Sequence, residues 1–578
     1  AITDDTATSR RSFNGKNPIK NLIRGPPMTS QAQPDSANEL LTQSFSTGPV
    51  HPPVRDLTIG DALREAAAEA PDAIALVAGT PDPSARRQWS YAELLAEAEQ
   101  AARALLTRFE PGDRVAVWAP NVPEWVLLEY ACGLAGVILV TVNPSYQPQE
   151  LAYVLNQSKA AGIFFLPEFR GNPMQRHLDS IKDQCPALKH VIPLTEWEEF
   201  LAAASDLTLP HITPDQACMI QYTSGTTGFP KGALLHHRGL VNNGAHTLSM
   251  MNTSPQCTYV GIMPLFHTGG CVLAVLSALS NRARLVLVEM FEPGLVLDLM
   301  EEYGAAAMLG VPTMLIAMIE HPSFAQRNLS SVECICSGGS TVPADLVRRL
   351  EDAVGAPFVI VFGQTECSPV ACMTRPTDSI RDKAETLGTA MPNVEIKIVD
   401  TESGITLPIG EKGELCTRGY HVMLEYYDNP EATAAAVDSD GWLHTGDLCS
   451  MDERGYCTVE GRLKDMIIRG GENIYPREIE ERLFQHPSVG EVAVVGLPDE
   501  KFGEQVGAFL RAAPGETLDR DALFTYARES LSPQKTPRFW YEVDEYPLTG
   551  SGKIQKFALR EAWENNAYRE LPSVGAKA

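Results

Sequence analysis

The 578-residue chain has no CxxC pair, no apolar run long enough to span a bilayer, no excess of positive charge and no internal repeat. Each gap removes a class of protein. The 12 cysteines are scattered, and the closest two, Cys334 and Cys336, are too near along the chain to form a metal knuckle. Buried thiols in a reducing cytosol are therefore expected. The least charged stretch, Gly239 to Asn281, contains Asn242, Asn243, Pro255 and His267, and falls short of the roughly 20 apolar residues of a transmembrane helix. It reads as buried α/β core, with "CVLAVLSAL" as a helix. The 47 Lys and Arg against 73 Asp and Glu leave a formal charge of -26, which argues against a nucleic-acid-coating or polybasic membrane surface. Any anionic ligand must meet local cations. The absence of a period of about 20 to 50 residues argues against a solenoid.

What is present is ordinary globular chemistry, with 44% hydrophobic and 21% charged residues. The length implies about two to four structural units. Residues 1–27 start without Met and carry five Lys or Arg against two Asp. They read as an expression leader; a native mitochondrial presequence is the alternative, which Asp4, Asp5 and the Pro26-Pro27 pair fit poorly. Residues 28–56 read as a flexible start. From Leu57 apolar β-type runs such as "RVAVWAP", "GVILVTVNP" and "AGIFFLP" alternate with helical patterns, and Ser90 with Glu93 forms a capping box. Such alternation predicts doubly wound, mostly parallel sheets over 57–461, with shorter β segments after about residue 395. A small α+β unit over 462–578 follows. The fold class is therefore α/β, large doubly wound sheets with a small β subdomain, followed by a small α+β C-terminal domain. In open parallel sheets, ligands bind beyond the carboxyl ends of the strands.

"YTSGTTGFPKGA", Tyr222 to Ala233, follows one such strand. Its glycines let a backbone approach oxygens, its Thr and Ser hydroxyls donate, and Lys231 adds a charge. A Walker loop needs Gly before its Lys and Ser or Thr after it. Here Pro230 and Gly232 occupy those places, and "GALLHH" looks like β continuation rather than a helix N-terminus. Taken alone, the stretch is a phosphate-binding loop or a surface turn.

Five further stretches follow in order: "VFGQTE", "GWLHTGD", "GRLKDMII", "GGENIYP" and "TGSGKIQK". With the first, they resemble the adenylate-forming superfamily of acyl-CoA synthetases, luciferases and peptide-synthetase adenylation domains, over about residues 57–568. The resemblance implies an acid–thiol ligase using ATP, Mg2+ and CoA. It places Thr223, Ser224, Gly225, Thr226, Thr227, Gly228 and Lys231 around the ATP phosphates. Phe362, Gly363 and Gln364 would lie at the adenine, Gly339 and Ser340 nearby, and Thr365 at the α-phosphate. Glu366, with Thr227, would hold magnesium. The family more often has Tyr where Phe362 stands, so stacking is kept and one hydroxyl is lost.

The same resemblance gives Asp447 the ribose hydroxyls, with Arg462 beside it. Lys553 becomes the lysine that enters the site for adenylation. Lys464 becomes the hinge about which the small domain turns, bringing Gly470, Gly471 and Glu472 to the CoA passage. The acyl pocket would involve His267, Gly310, Val311 and Gly338. His267 is expected either to gate that pocket or to be a buried, hydrogen-bonded imidazole.

Adenylation modules for amino acids usually carry Asp where His267 stands, and no carrier-domain Ser follows Lys553. The "GGENI" form is similar to that of fatty acyl-CoA and related acyl-CoA ligases, and with an apolar, glycine-lined pocket the resemblance implies a medium- or long-chain fatty acid as substrate. An aryl acid of the coumarate or benzoate type is the alternative, and an acyl-AMP ligase with another acceptor comes after it. The expected partners are small molecules only: the acid, ATP and CoA, with no nucleic acid, no transmembrane segment and a homodimer allowed for. A cytoplasmic protein is expected, or a mitochondrial-matrix one if residues 1–27 are a native presequence.

Overall fold

The computed structural model describes residues 40–223, 230–339, 342, 344–470, 472–548 and 554–572. Two large sheets form the body of the α/β unit. In the seven-stranded sheet, Arg114–Trp118 lies parallel to Ile138–Val142 and Gly162–Phe165, and Ile138–Val142 lies parallel to Ala217–Thr223. All five residues of Ile138–Val142 are buried, as a strand covered on both faces requires. An antiparallel edge follows, in which Ala217–Thr223 pairs with Lys231–His236 and that strand with Glu425–Tyr426.

The nine-stranded sheet places Thr258–Gly261, Ala307–Leu309, Cys334–Gly338 and Phe358–Gly363 side by side and parallel. The helix Pro123–Ala135 has every residue but Glu124 buried and touches strands of both sheets. A helix apolar nearly all round is one enclosed on all sides.

A five-stranded antiparallel sheet follows in space, built from Val394–Val399, Gly413–Gly419, Leu443–Met451 and Cys457–Arg462. Its fifth strand corrects the reading of a flexible start over 28–56 for Phe45–Thr47; residues 28–39, like 1–27, lie outside the described residues. Phe45–Thr47 pairs with Glu395–Lys397, and Ser44 Oγ donates to the Pro408 carbonyl at 2.8 Å. The "CVLAVLSAL" helix is also refined: Cys271–Leu276 is a π-helix before the α-turn Ser277–Ser280. There the carbonyl of Val272 approaches Gly244 of the neighbouring helix, where a Cβ would lie 3.1 Å away, and Ser277 Oγ donates to the Gly244 carbonyl at 2.8 Å.

After Arg462 comes the turn Leu463–Asp465, then a six-stranded sheet with helices Pro476–Phe484, Arg520–Arg528 and Lys556–Glu564. All 12 cysteines are buried and unpaired. Among the described residues no helix is long and apolar enough to cross a membrane.

Candidate functional site

Four neighbouring parallel strands deliver one side of the site from their carboxyl ends. Thr258–Gly261 leads to His267, Ala307–Leu309 to Gly310 and Val311, Cys334–Gly338 to Gly339, and Phe358–Gly363 to the turn Thr365–Cys367. Close packing explains the glycines. A Cβ on Gly338 would sit 2.5 Å from the Val361 carbonyl oxygen, and one on Gly363 only 1.8 Å from that of Pro369. Strand register shifts between Phe362 and Gly363, a bulge that turns the chain towards Glu366. Phe362 and Thr365 are half-buried, while Glu366 is 7% exposed.

The seven-stranded sheet supplies the opposite side. Thr223 and Lys231 face each other across a hairpin, with Thr223 Oγ1 3.4 Å from the Lys231 carbonyl. The chain therefore runs on as β-strand after the glycine-rich stretch. Lys231 Nζ lies 4.9 Å from the ring centroid of Tyr426, within reach of a cation–π attraction. The Tyr426 hydroxyl donates to Glu366 Oε1 at 2.6 Å.

Asp447, 6% exposed, stands on Leu443–Met451 opposite Arg462, whose Nε lies 3.2 Å from its Oδ1. The turn carrying Asp447 is held from below. Glu414 accepts the Gly446 N–H through Oε1 at 2.9 Å and faces His444 Nδ1 through Oε2 at 2.7 Å. Hydrogen bonds to Cys416 and to Glu414 push the His444 imidazole up to about 10. Burial raises the Cys416 thiol in turn, so the lasting charge opposite His444 is the Glu414 carboxylate. Glu414, Cys416 and His444 place their polar atoms within 4.8 Å of one another, and they satisfy each other as a protonated imidazole and its partners.

The charges of Glu366 and Asp447 both act on the buried Cys367 and on Lys464, so the two carboxylates lie in one neighbourhood. Lys464, in the turn Leu463–Asp465, keeps access to solvent. Partial desolvation, and then Arg462 beside it, lower its pKa. His267 is half-buried, and its Nδ1 accepts the Gly269 N–H at 3.0 Å, the local partner that a hydrogen-bonded imidazole requires. Gly470 adopts φ +61° and donates to the Phe502 carbonyl at 2.7 Å. Glu472 is exposed on the same hairpin, so this turn is built within the small unit. Ser224 to Gly228, Ser340, Gly471 and Lys553 lie outside the described residues.

The profile of the family described as AMP-binding enzyme matches residues 63–427. The chain belongs to that family. The profile of the AMP-binding enzyme C-terminal domain matches residues 478–553. The YngI acyl-CoA synthetase homologue of Bacillus subtilis (strain 168) is 40% identical over 534 residues, covering 87% of this chain and 96% of its own. The human mitochondrial medium-chain acyl-CoA ligase ACSF2 is 36% identical over 552 residues, covering 88% of each. Among solved structures, ATP-bound MatB from Rhodopseudomonas palustris superposes with a TM-score of 0.80 at 28% identity, over 88% of this chain and all of that one.

Three polar residues that contact the candidate site of this AMP-binding enzyme or the turn that carries Asp447 were not singled out from sequence: Tyr426, Glu414 and His444. His444 stands inside "GWLHTGD", but its partner is 30 residues upstream. Tyr426 sits in "MLEYYDNPEAT", where two adjacent tyrosines give no sign of which one faces Glu366. Its signal is the two-residue strand that sets it against Lys231–His236.

Proposed function

We propose that this AMP-forming acyl-CoA ligase takes a medium- or long-chain fatty acid as its substrate. The acid's carboxylate oxygen attacks the α-phosphorus of ATP, the bond to the β-phosphate breaks, and acyl-AMP and pyrophosphate result. The thiol of CoA then attacks the acyl carbon, the bond to AMP breaks, and the thiol proton leaves to solvent. The observation that supports ATP activation at this site is the continuous contact from Lys231 through Tyr426 to Glu366, together with the Asp447–Arg462 pair.

In this scheme Lys231 and the loop before it hold the β- and γ-phosphates, Asp447 accepts from the ribose hydroxyls, and Phe362 lies against adenine. Glu366 suits a magnesium ion because it is a buried hard-oxygen donor with one oxygen already oriented by a hydroxyl. Glu366 and Thr227 would hold it. When bound, the ion neutralises phosphate charge. Lys553 stabilises charge moving onto pyrophosphate. Rotation about Lys464 then exchanges Lys553 for Gly470, Gly471 and Glu472, which admit the thiol. His267, Gly310, Val311 and Gly338 border the acyl chain, and the naming of the human relative as a medium-chain ligase supports the chain length.

A panel of acids tested with Mg-ATP and CoA checks this. Acid-dependent pyrophosphate release, then AMP release on adding CoA, is expected, greatest with acids of medium or long chain. Preference for cinnamates or benzoates would replace the substrate assignment. Conversion of ATP to ADP would overturn the scheme.

A further inference from the structure

Five consecutive residues join the turn after the nine-stranded sheet's Phe358–Gly363 to the seven-stranded sheet's Lys231–His236. The Met423 N–H donates to the Glu366 carbonyl at 2.8 Å, the Leu424 N–H to Leu234 at 2.9 Å and the Tyr427 N–H to Gly232 at 2.8 Å. Segment 423–427 thus ties the turn carrying Glu366 to the strand carrying Lys231 through its main chain. Tyr426, in the middle, repeats the link through its side chain, with the hydroxyl on Glu366 Oε1 and the ring beneath Lys231 Nζ. We infer that Tyr426 is a positioning residue for ATP activation: its hydroxyl selects which carboxylate oxygen of Glu366 meets a divalent cation, and its ring holds the Lys231 ammonium at the phosphates.

The chemistry fits that task. A phenolic hydroxyl can donate to a carboxylate oxygen, and here it does so at 2.6 Å. With Oε1 engaged, and with no partner on Oε2 among the described residues, Oε2 is the oxygen left to a cation. The ring is 8% exposed and packs into the core of the large unit, so neither contact is lost to a swinging side chain. A purely structural tyrosine would affect both half-reactions alike. A positioning tyrosine acts only where magnesium and the ATP phosphates are bound.

The inference rests on the proposed function, and the test separates the two. Binding of the non-reacting analogue α,β-methylene-ATP to the full chain is measured by calorimetry with and without Mg2+, for wild type, Tyr426→Phe and Tyr426→Leu. Tyr426→Phe keeps the ring and loses the hydroxyl. It should reduce the magnesium-dependent gain in affinity about tenfold, as loss of a hydrogen bond to a charged group implies, with metal-free binding within about twofold of wild type. Tyr426→Leu should weaken metal-free binding a further roughly two- to fivefold by removing the cation–π contact. In a Glu366→Gln background the Phe substitution should add less than about twofold, since coupled residues are not additive. Thioester formation from supplied acyl-AMP and CoA should stay within about twofold, as that step uses neither contact.

Unchanged magnesium dependence in Tyr426→Phe, or equal loss in both half-reactions, would overturn the inference while leaving the proposed function standing. Wild type that neither binds the analogue with magnesium nor releases pyrophosphate with any acid would overturn both. If Tyr426→Leu does not fold, Tyr426→Phe decides the matter alone.

Discussion

His444 makes the stability of this chain pH-dependent in a direction opposite to that of most carboxylates. Its imidazole is raised from 6.5 to about 10, with Cys416 and Glu414 on Nδ1 and Asp438 Oδ2 3.7 Å from Nε2. A raised folded-state pKa means that the native state holds a proton the unfolded chain has lost. The resulting stabilisation is fully present below pH 6.5 and disappears as pH rises through about 10. The side chain is 31% exposed, and Cys416 contributes no charge while protonated, so the full shift overstates the effect. On the order of 2 kcal/mol remains after allowing for solvent screening. Replacing His444 with Asn removes it. Urea midpoints of wild type and His444→Asn, followed by circular dichroism from pH 6 to pH 10, should differ most at the acid end and converge at the alkaline end. A difference that is constant across the series, or that grows with pH, would refute the pairing with Glu414.

Other substitutions probe the cleft directly. Lys553→Ala should lower acid-dependent pyrophosphate release by about 100- to 1,000-fold, the usual cost of one electrostatic stabiliser, with thioester formation from supplied acyl-AMP largely retained; equal loss in both assays would contradict its role. Lys464→Pro should slow AMP release on CoA addition more than pyrophosphate release, and an unaffected second step would move the hinge elsewhere. Gly363→Ala would put a methyl carbon 1.8 Å from the Pro369 carbonyl oxygen. Because main chain must shift to make room, a loss of about 2 to 4 kcal/mol is expected in denaturant unfolding, together with weaker ATP binding.

Much of the architecture was legible because its signals are local. The strands Arg114–Trp118, Ile138–Val142 and Gly162–Phe165 are continuous apolar runs, and the Ser90–Glu93 capping box occupies the N-terminus of helix Tyr91–Leu106. The pairing of Phe45–Thr47 was not legible, since three residues with two hydroxyls have no usable period and their partner lies far along the chain. The π-helix at Cys271–Leu276 was hidden for another reason. Its residues are all buried, so a widened turn leaves the apolar pattern unchanged. In the site, motif residues stood out by their order, whereas Tyr426 and Glu414 act through contacts 60 and 30 residues away. Such pairings are set by strand register, not by neighbours in sequence.

The strand at Phe45–Thr47 also imposes a timetable on biosynthesis. Ser44 and its acceptor Pro408 are separated by 364 residues. At roughly 5 to 20 residues per second, a ribosome needs on the order of 20 to 70 s between them. Throughout that interval the early segment has no sheet to join, while the parallel strands between are already able to assemble. Phe45–Thr47 is an edge strand whose one sheet partner is Val394–Val399, so a nascent chain stalled before residue 394 would leave that strand open to other partners.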